Sequence, residues 1–332
     1  APRNLLAEVV PAERMAELDS TSELNIGFPL AGVGRFRISA MRQRGSIAAV
    51  IRFITPEVPP LSSLGLPDVL TELIMAKRGL LLMVGATGAG KSTTLASMID
   101  YRNENLAGHI LTIEDPVEFL FKNKRSIINQ REIGTDTESL QIALKNALRQ
   151  APDVILVGEI RDRETMTAAL AYAQSGHLCL ATMHANNSYQ ALNRILSFYP
   201  VEVRETMLGD LAAALRAVVS QRLLRTVSGG RTPTVEVMLN TKFVAELIEK
   251  GDFSSIKEAM EKSMAEGSQS FEADIARLIL DGTVDRKEGI ANSDSPTNLM
   301  WRMENDFASA RVAKQEEDPD DEPSFTEITL DV

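Results

Sequence analysis

The fold is decided by Leu80–Ser92, whose sequence LLLMVGATGAGKS joins an apolar run to a glycine-rich loop. Gly85–Ser92 matches the pattern GxxxxGK[ST] at every fixed position, and a helical pattern follows over Thr93–Ile99. Glycines let backbone N–H groups curl around an anion because no Cβ blocks the approach, and the helix adds the positive end of its dipole. We therefore predict a strand, a phosphate-binding loop and a helix. The alternative is a glycine-rich turn without a ligand, which the flanking pattern disfavours.

The residues of this loop have expected roles. Lys91 is expected to contact the β- and γ-phosphates of a nucleotide, and Ser92 is expected to ligate Mg²⁺. The other residues expected around the phosphates are Gly85, Thr87, Gly88, Ala89, Gly90 and Thr93.

Two acidic residues are candidates for the remaining chemistry of a nucleotide site. The apolar runs Ile110–Ile113 and Val154–Val157 lead into Glu114 and, after one glycine, Glu159. An acid at the carboxyl end of a parallel strand faces the crevice where ligands bind. We predict that Glu159 holds Mg²⁺, directly or through water, and that Glu114 is the general base or positions the attacking water. The alternative is that such acids only cap the next helix, as we expect for Asp162.

Two histidines lie in the segment Gly176–His184, GHLCLATMH. A metal site shared by His177, Cys179 and His184 is unfavourable, because alternate residues of a strand face opposite sides of a sheet. At the end of a strand beside the phosphate loop, His184 is instead predicted to donate a hydrogen bond to the γ-phosphate. The alternative for His184 is a hydrogen-bonded core or surface residue without a function.

The pattern of the chain changes along its length. After a helical start, Arg35–Met41 and Ala48–Ile54 predict a β-hairpin, and the four prolines of residues 55–67 indicate a linker. From Asp68 short apolar strands alternate with helices, which is typical of an α/β protein with a parallel sheet. We predict an N-terminal domain over 1–55, a linker over 56–67, an α/β domain with C-terminal helices over 68–292, and an acidic, disordered tail over 293–332.

Composition excludes several classes of protein. With 44% hydrophobic and 24% charged residues, the 332-residue chain is ordinary globular material. Its one cysteine, Cys179, excludes an internal disulfide or a multi-cysteine zinc site and favours a reducing, cytoplasmic setting. No apolar run is long enough to span a bilayer. The net charge is −11, of which residues 315–332 carry −8, so the nearly neutral remainder does not support sequence-independent nucleic-acid binding.

Four motifs in order resemble the secretion ATPases of type II secretion and type IV pili. They are GATGAGKS at 85–92, ILTIEDPVEF at 110–119, PDVILVGEIRD at 152–162 and GHLCLATMH at 176–184. The resemblance extends from about Gly27 to Ser295, and the most similar branch is the twitching-motility retraction ATPase family, PilT and PilU. It implies an N-terminal PAS-like domain linked to a RecA-like ATPase domain, assembled as a homohexamer that uses ATP and Mg²⁺.

The resemblance also implies roles for individual residues. They are Lys91 and Ser92 on nucleotide and Mg²⁺, Glu114 as catalytic glutamate, Glu159 as Walker B acid, and His184 near the γ-phosphate. Residues 32–53, GVGRFRISAMRQRGSIAAVIRF, resemble the region that supplies arginines to a neighbouring subunit's nucleotide. Arg37 and Arg52 stand at the matching positions. Without the family, arginines on an exposed strand are interpreted as solvated charges.

Two departures from the family pattern are informative, of which the first favours the retraction ATPases and the second favours the PilU branch. Relatives that drive pilus extension or type II secretion commonly carry a tetracysteine zinc module, which a chain with one cysteine cannot build. The AIRNLIRE-like helix of PilT corresponds here to Phe243–Lys250, FVAELIEK, which lacks the Arg-Asn pair. The segment Met264–Phe271 and the acidic tail also resemble PilU, an accessory paralogue of PilT. The N-terminal domain is short, as if its first strands had been removed.

The resemblance implies a hexameric, Mg²⁺-dependent ATPase motor that powers or assists pilus retraction from the cytoplasmic face of the inner membrane. Its implied partners are further copies of itself, a PilT-like retraction ATPase and the inner-membrane platform protein of the pilus, with no nucleic acid. Rotation of the two domains about the linker would be the mechanical step. Two alternatives stay open, namely a nucleic-acid translocase on the same RecA-like core and a hexameric adaptor with dispensable hydrolysis. The alternating pattern of Ser324–Val332 predicts a tail strand that adds to a partner.

Overall fold

The computed structural model describes residues 2–30, 32–54, 57–262 and 265–305. The helices are α1 Pro2–Val9, α2 Ala12–Thr21, α3 Val69–Met75, α4 Lys91–Asn105, α5 Leu140–Ala147, α6 Arg163–Gln174, α7 Ser188–Ser197, α8 Arg204–Ala214, α9 Lys242–Lys250, α10 Ile256–Lys262, α11 Phe271–Leu280 and α12 Arg286–Asn292. The strands are β1 Glu23–Leu30, β2 Gly34–Gln43, β3 Ser46–Ile54, β4 Gly79–Val84, β5 Gly108–Glu114, β6 Ser126–Glu132, β7 Val154–Val157, β8 Leu178–Met183, β9 Leu215–Arg225 and β10 Arg231–Leu239. They form two sheets.

The N-terminal sheet is antiparallel, in the order β1-β2-β3. The predicted hairpin is confirmed, and its strands meet at a two-residue turn in which Arg44 and Gly45 both have positive φ. Such a turn matches the natural twist of paired strands. Ile38 and Ala40 of β2 are buried in one apolar cluster with Leu18 of helix α2. Since side chains alternate along a strand, the arginines of β2 at odd positions lie on the other face.

The central sheet has seven strands in the order β10-β9-β4-β8-β7-β5-β6. Its strands from β9 to β6 are parallel, and only β10 is antiparallel. Strand β4 is buried along its whole length, with Leu80, Leu82 and Val84 in one apolar cluster and Leu81 and Met83 in another on the opposite face. The predicted α/β fold with a sheet covered on both faces is therefore confirmed.

Three strands of this sheet were not expected from the sequence. Strand β6, SIINQRE, is polar, and the region between Ile113 and Val154 was expected to be helical. As the last strand of the sheet it pairs only with β5, so it needs no continuous apolar run. Strands β9 and β10 interrupt their apolar residues with Arg, Gln, Glu and Pro. Gln221 and Glu236 are buried among them, and both are hydrogen-bonded.

The predicted linker is packed onto the central-sheet body from Pro59 onward. Leu61 is buried in the apolar cluster that covers one face of the central sheet. The carbonyl oxygen of Pro59 accepts a hydrogen bond of 2.7 Å from the Ser97 hydroxyl on α4. These contacts attach Pro59 and Leu61 of the predicted linker to the body, and the hinge over 55–67 stays a prediction.

Helices α9 to α12 confirm the expected helical C-terminal region. The tail predicted to be disordered from Ser293 instead continues as a helix over 296–305, in which Leu299 and Met303 are buried against Phe271. Their i, i+4 spacing places both on one helix face, which the surrounding polar residues obscured. The rest of that tail, with its acidic run and its predicted partner strand at Ser324–Val332, lies outside the described residues.

Within the described ranges, no helix combines the length and the apolar character needed to cross a membrane.

Candidate nucleotide site

The phosphate-binding loop connects the buried strand β4 to the first turn of α4. Gly85, Gly88 and Gly90 have φ angles of +154°, +80° and +87°, which glycine adopts without strain. Thr87, Gly88, Gly90, Lys91, Ser92 and Thr93 line a cleft of ≈ 960 Å³ at the carboxyl ends of the central strands. Gly85 and Ala89 do not line it, and act through their carbonyl groups instead. The Ser92 hydroxyl has no hydrogen-bond partner in the described part of the chain and faces this cleft.

Lys91 holds the phosphate-binding loop together through two hydrogen bonds. Its Nζ donates to the carbonyl oxygens of Gly85 at 2.8 Å and Ala86 at 2.9 Å. Burial lowers the pKa of the ammonium group, and the nearby carboxylates of Glu159 and Glu118 oppose that shift. Phosphate oxygens are stronger acceptors for an ammonium than these two carbonyls, so a nucleotide can take over the same donor.

Gln221 supports the loop from the neighbouring strand β9, a role that the sequence did not reveal. Its side-chain Nε2 donates to the Ala89 carbonyl at 2.8 Å, and its Oε1 accepts from the Thr94 hydroxyl at 2.8 Å. A Cβ on Gly90 would come within 2.7 Å of Nε2, and one on Gly85 within 2.5 Å of the Gln221 carbonyl. Two of the loop's glycines are thus required by the close approach of one glutamine.

Glu114 ends strand β5 and points into the cleft. Its Oε1 accepts hydrogen bonds from the Thr112 hydroxyl at 2.7 Å and from Gln130 Nε2 at 3.2 Å. Burial raises the pKa of this carboxyl, while both hydrogen bonds oppose the shift and the charge of Glu118 adds to it. A raised pKa makes a carboxylate a better proton acceptor near neutral pH, which suits a general base.

Gln130 is a second supporting residue that the sequence did not reveal. It lies on β6 directly opposite Thr112. Besides contacting Glu114, it donates to the Phe119 carbonyl at 2.7 Å and accepts from the Phe121 N–H at 3.0 Å. One amide therefore joins the carboxylate to the loop that follows β5. The contact of Thr112 with Glu114 could have been predicted from the sequence, because residues two apart on a strand share a face.

Glu159 and His184 meet between strands β7 and β8. His184 Nε2 lies 3.3 Å from Glu159 Oε1, while Arg161 contacts Glu159 Oε2 through Nε at 2.8 Å and Nη2 at 2.6 Å. All three side chains line the cleft. The structure thus brings His184 to the Walker B acid, and Asp162 caps α6 as expected by accepting from the Thr165 N–H at 2.8 Å.

Arg37 and Arg52 close the cleft from the N-terminal sheet. They are partners in the register of β2 and β3, and both line the cleft of their own chain. In the described ranges neither side chain forms a hydrogen bond or an ion pair. Both arginines thus lie at the cleft of their own chain, and their action on a neighbouring subunit's nucleotide, which the resemblance implies, stays a prediction. Two like charges placed directly opposite each other on paired strands repel each other. An anion bound between them would reduce this repulsion.

Comparison with known proteins identifies the family that the sequence motifs resemble. The family model "Type II/IV secretion system protein" matches residues 18–288. The chain belongs to this family. It is 45% identical over 298 residues to the type IV pilus ATPase PilU of Pseudomonas aeruginosa, covering 90% of this chain and 78% of that protein. It is 35% identical over 295 residues to the type IV pilus retraction ATPase PilT of the same organism, covering 89% and 86%.

Solved structures of this family have the same fold. The crystal structure of the pilus retraction motor PilT with bound ADP superposes with a TM-score of 0.83 at 38% identity, covering 89% of this chain and 84% of that one. The ATPase DotB of Legionella pneumophila gives a TM-score of 0.77 at 28% identity, covering 86% and 81%. Together with the intact phosphate loop, these relatives confirm that the chain is an ATPase that uses a nucleotide.

Proposed function

We propose that this chain is the subunit of a homohexameric, Mg²⁺-dependent ATPase motor that powers or assists type IV pilus retraction. Its place is the cytoplasmic face of the inner membrane, as a PilU-like accessory of a PilT-like ATPase and a platform protein. The observation that carries the enzymatic part is the convergence of Lys91, Glu114, Glu159 and His184 on one sheet edge. The 45% identity with PilU supports the pilus part.

The oxygen donors in the cleft fit a magnesium ion. Ser92 offers a hydroxyl without another partner among described residues, and Glu159 offers a carboxylate that is 19% exposed. Hydroxyl and carboxylate oxygens, completed by phosphate oxygens and water, are the ligands that Mg²⁺ prefers. When bound, Mg²⁺ would neutralise charge that develops on the β- and γ-phosphates.

The chain's own residues supply the remaining steps. Lys91 exchanges its two carbonyl acceptors for phosphate oxygens, and Glu114 orients the attacking water and accepts its proton. Arg37 and Arg52 stabilise the negative charge on the transferred phosphoryl group from the opposite side of the cleft. His184, next to Glu159, senses the loss of the γ-phosphate.

The domain division belongs to this proposal. An N-terminal domain over 1–55 carries the arginines and the body over 68–292 carries the phosphate loop. Within the 56–67 linker, Pro59 and Leu61 are attached to the body. The residues after 292 contribute one helix to the body before the acidic tail.

A combined measurement of assembly and hydrolysis tests this function. The purified chain is imaged by electron microscopy with and without a non-hydrolysable ATP analogue, and steady-state phosphate release is measured beside Lys91→Ala. We expect six-fold rings and Mg²⁺-dependent hydrolysis that the variant lacks. Rings without Lys91-dependent hydrolysis would support the adaptor alternative, and stimulation by DNA would support a translocase. Absence of rings under all conditions would contradict the hexamer.

A further inference from the structure

One ion pair joins the N-terminal sheet to the central sheet. The guanidinium of Arg35 on β2 donates from Nη2 to Oε2 of Glu132, the last residue of β6. Only 18% of the Arg35 side chain and 4% of the Glu132 side chain are exposed. No other ion pair connects the described residues before 55 to the described residues after 56. A buried charge pair depends on its geometry, because either charge alone is strongly disfavoured by burial.

Glu132 also holds the loop that follows β5, the strand that ends in Glu114. Its Oε2 accepts from the Val117 N–H at 3.1 Å, and its Oε1 accepts from the Thr135 hydroxyl at 3.2 Å. In the strand register Glu132 stands opposite Glu114. Since register partners project from the same face of a sheet, the carboxylate that receives Arg35 lies on the same face as that of Glu114, the proposed general base.

Gly27 leaves the space in which this pair forms. A Cβ on Gly27 of β1 would lie 2.6 Å from Arg35 Nη2 and 2.9 Å from Glu132 Oε1. Any side chain at this position would displace the guanidinium from the carboxylate. Three elements, β1, β2 and β6, thus meet at one contact without intervening atoms.

The contact sits next to the arginines of the cleft. Arg35 and Arg37 lie two residues apart on β2, so they share a face, and Arg37 pairs with Arg52 across the strands. Arg37 and Arg52 have no partner among the described residues and repel each other. Their position over the cleft therefore depends on what anchors the sheet that carries them.

We propose that Arg35 and Glu132, with the space left by Gly27, form an interdomain clasp that positions Arg37 and Arg52 over the phosphates in the same chain. The clasp rests on the proposed ATPase function. Arg35 and Glu132 are positioning residues, since the cleft is lined by Arg37 and Arg52 and not by them.

Hydrolysis and nucleotide affinity are measured separately in the full-length chain. The variants are Arg35→Met, Glu132→Gln and Gly27→Ala, and Arg35→Lys keeps the charge. The matched control is Arg42→Met, which removes an arginine of the same strand that pairs with Asp19 at 3.0 Å within the N-terminal sheet region. Misplacing a catalytic group by about 1 Å lowers rates by up to about 100-fold. We expect kcat to fall by roughly 10- to 100-fold in the three clasp variants. ADP affinity should stay close to wild type, with Arg35→Lys intermediate and Arg42→Met normal.

A distance measurement separates positioning from a general loss of structure. Spin labels are placed at Ser46→Cys, on the N-terminal sheet, and at Glu202→Cys, on the body, and labelled chains are diluted with unlabelled protein. Cys179 is fully buried and should not be labelled. The distance distribution should be narrow in the wild type and in Arg42→Met, and broad in each clasp variant, including Gly27→Ala, which retains both charges.

The outcomes distinguish the clasp from the proposed function. Normal kcat and a narrow distribution in the clasp variants would overturn the clasp while Lys91-dependent hydrolysis still supports an ATPase. A lowered kcat with an unchanged distribution would also overturn it, because the effect would then pass through the Val117 loop. If the wild type shows no Lys91-dependent hydrolysis, the proposed function fails, and the distance distributions alone still decide whether the clasp holds the sheets together.

Discussion

The two sides of the nucleotide cleft are built in different ways. On the central-sheet side Lys91, Glu114 and Glu159 follow strands that are almost entirely buried, and each side chain has at least two polar contacts. On the N-terminal side Arg37 and Arg52 project from a small sheet and have no partner among the described residues. The side chains of the first side are held in place by hydrogen bonds, whereas those of the second side are positively charged and suited to bind an anion.

This difference suggests separate roles for the two sides, one in binding the nucleotide and the other in placing the arginines beside it. On the central-sheet side, Lys91 is already held at the loop and exchanges two carbonyl acceptors for phosphate oxygens when a nucleotide binds. Unpartnered arginines on a separate sheet contribute only when that sheet is held over the cleft. We therefore expect the central-sheet side to set the affinity for nucleotide and the placement of the N-terminal sheet to set the rate.

The largest effect is expected from Glu114→Gln. Glutamine keeps the shape and can still contact Thr112, but it cannot accept a proton from water. We expect kcat to fall by about 10²- to 10⁴-fold with ADP binding retained. Phosphate release and an ADP titration measure the two quantities. Glu104→Gln, an exposed acid that pairs with Lys124 just before β6, is the control. Equal kcat in wild type and Glu114→Gln would mean that the base is another residue.

A somewhat smaller effect is expected from Arg37→Ala or Arg52→Ala. Removing one charged donor from a transition state should lower kcat by about 10²-fold. Mixed rings then test which chain the arginines serve. Because they line their own chain's cleft, mixing Arg37→Ala with Lys91→Ala subunits should restore no activity. Recovery in rings that exchange subunits would show that the arginines act on a neighbour's nucleotide.

A shift in pH dependence is expected from Gln130→Leu. Burial raises the pKa of Glu114, and the Gln130 amide partly opposes this by stabilising the carboxylate. Since the base acts when deprotonated, activity is lost as the pH falls through its pKa. Removing the amide raises that pKa further, so the acidic limb of kcat should move to higher pH by about 1 unit. Gln174→Leu, which removes an exposed contact to Asp210, is the control. An unmoved limb would exclude Gln130 as a support of the base.

The smallest effects concern stability within the N-terminal sheet. Ile38 and Ile51 are register partners, but Ile38 is 1% exposed and Ile51 is 58% exposed. Ile38→Val should lower the free energy of unfolding of this region by about 1 kcal/mol. The same change at Ile51 should alter it by less than about 0.5 kcal/mol. Urea denaturation, followed by hydrogen exchange of the β2 amides, measures both. Equal losses would show that Ile51, on the edge strand β3, is covered in solution.

Local sequence was sufficient for the parts of the site that follow one strand. The phosphate loop, Glu114 and Glu159 each come directly or almost directly after an apolar run, so chain order alone predicts that they share the carboxyl edge of a parallel sheet. Asp162 capped its helix for the same local reason. The interpretation of residues 293–305 was wrong because only two of their apolar residues, Leu299 and Met303, are buried, and two such positions give a weak signal.

Order along the chain determined that this protein has a phosphate loop, two strand-end acids and an α/β sheet. Only the tertiary structure decided which residues support them, because Gln221 and Gln130 reach the site from strands 127 residues from Thr94 and 16 residues from Glu114. It also decided that Arg35 meets Glu132, 97 residues away. A motif needs only neighbours in sequence, whereas a hydrogen bond between strands depends on sheet order and register, which are set by burial of the whole body.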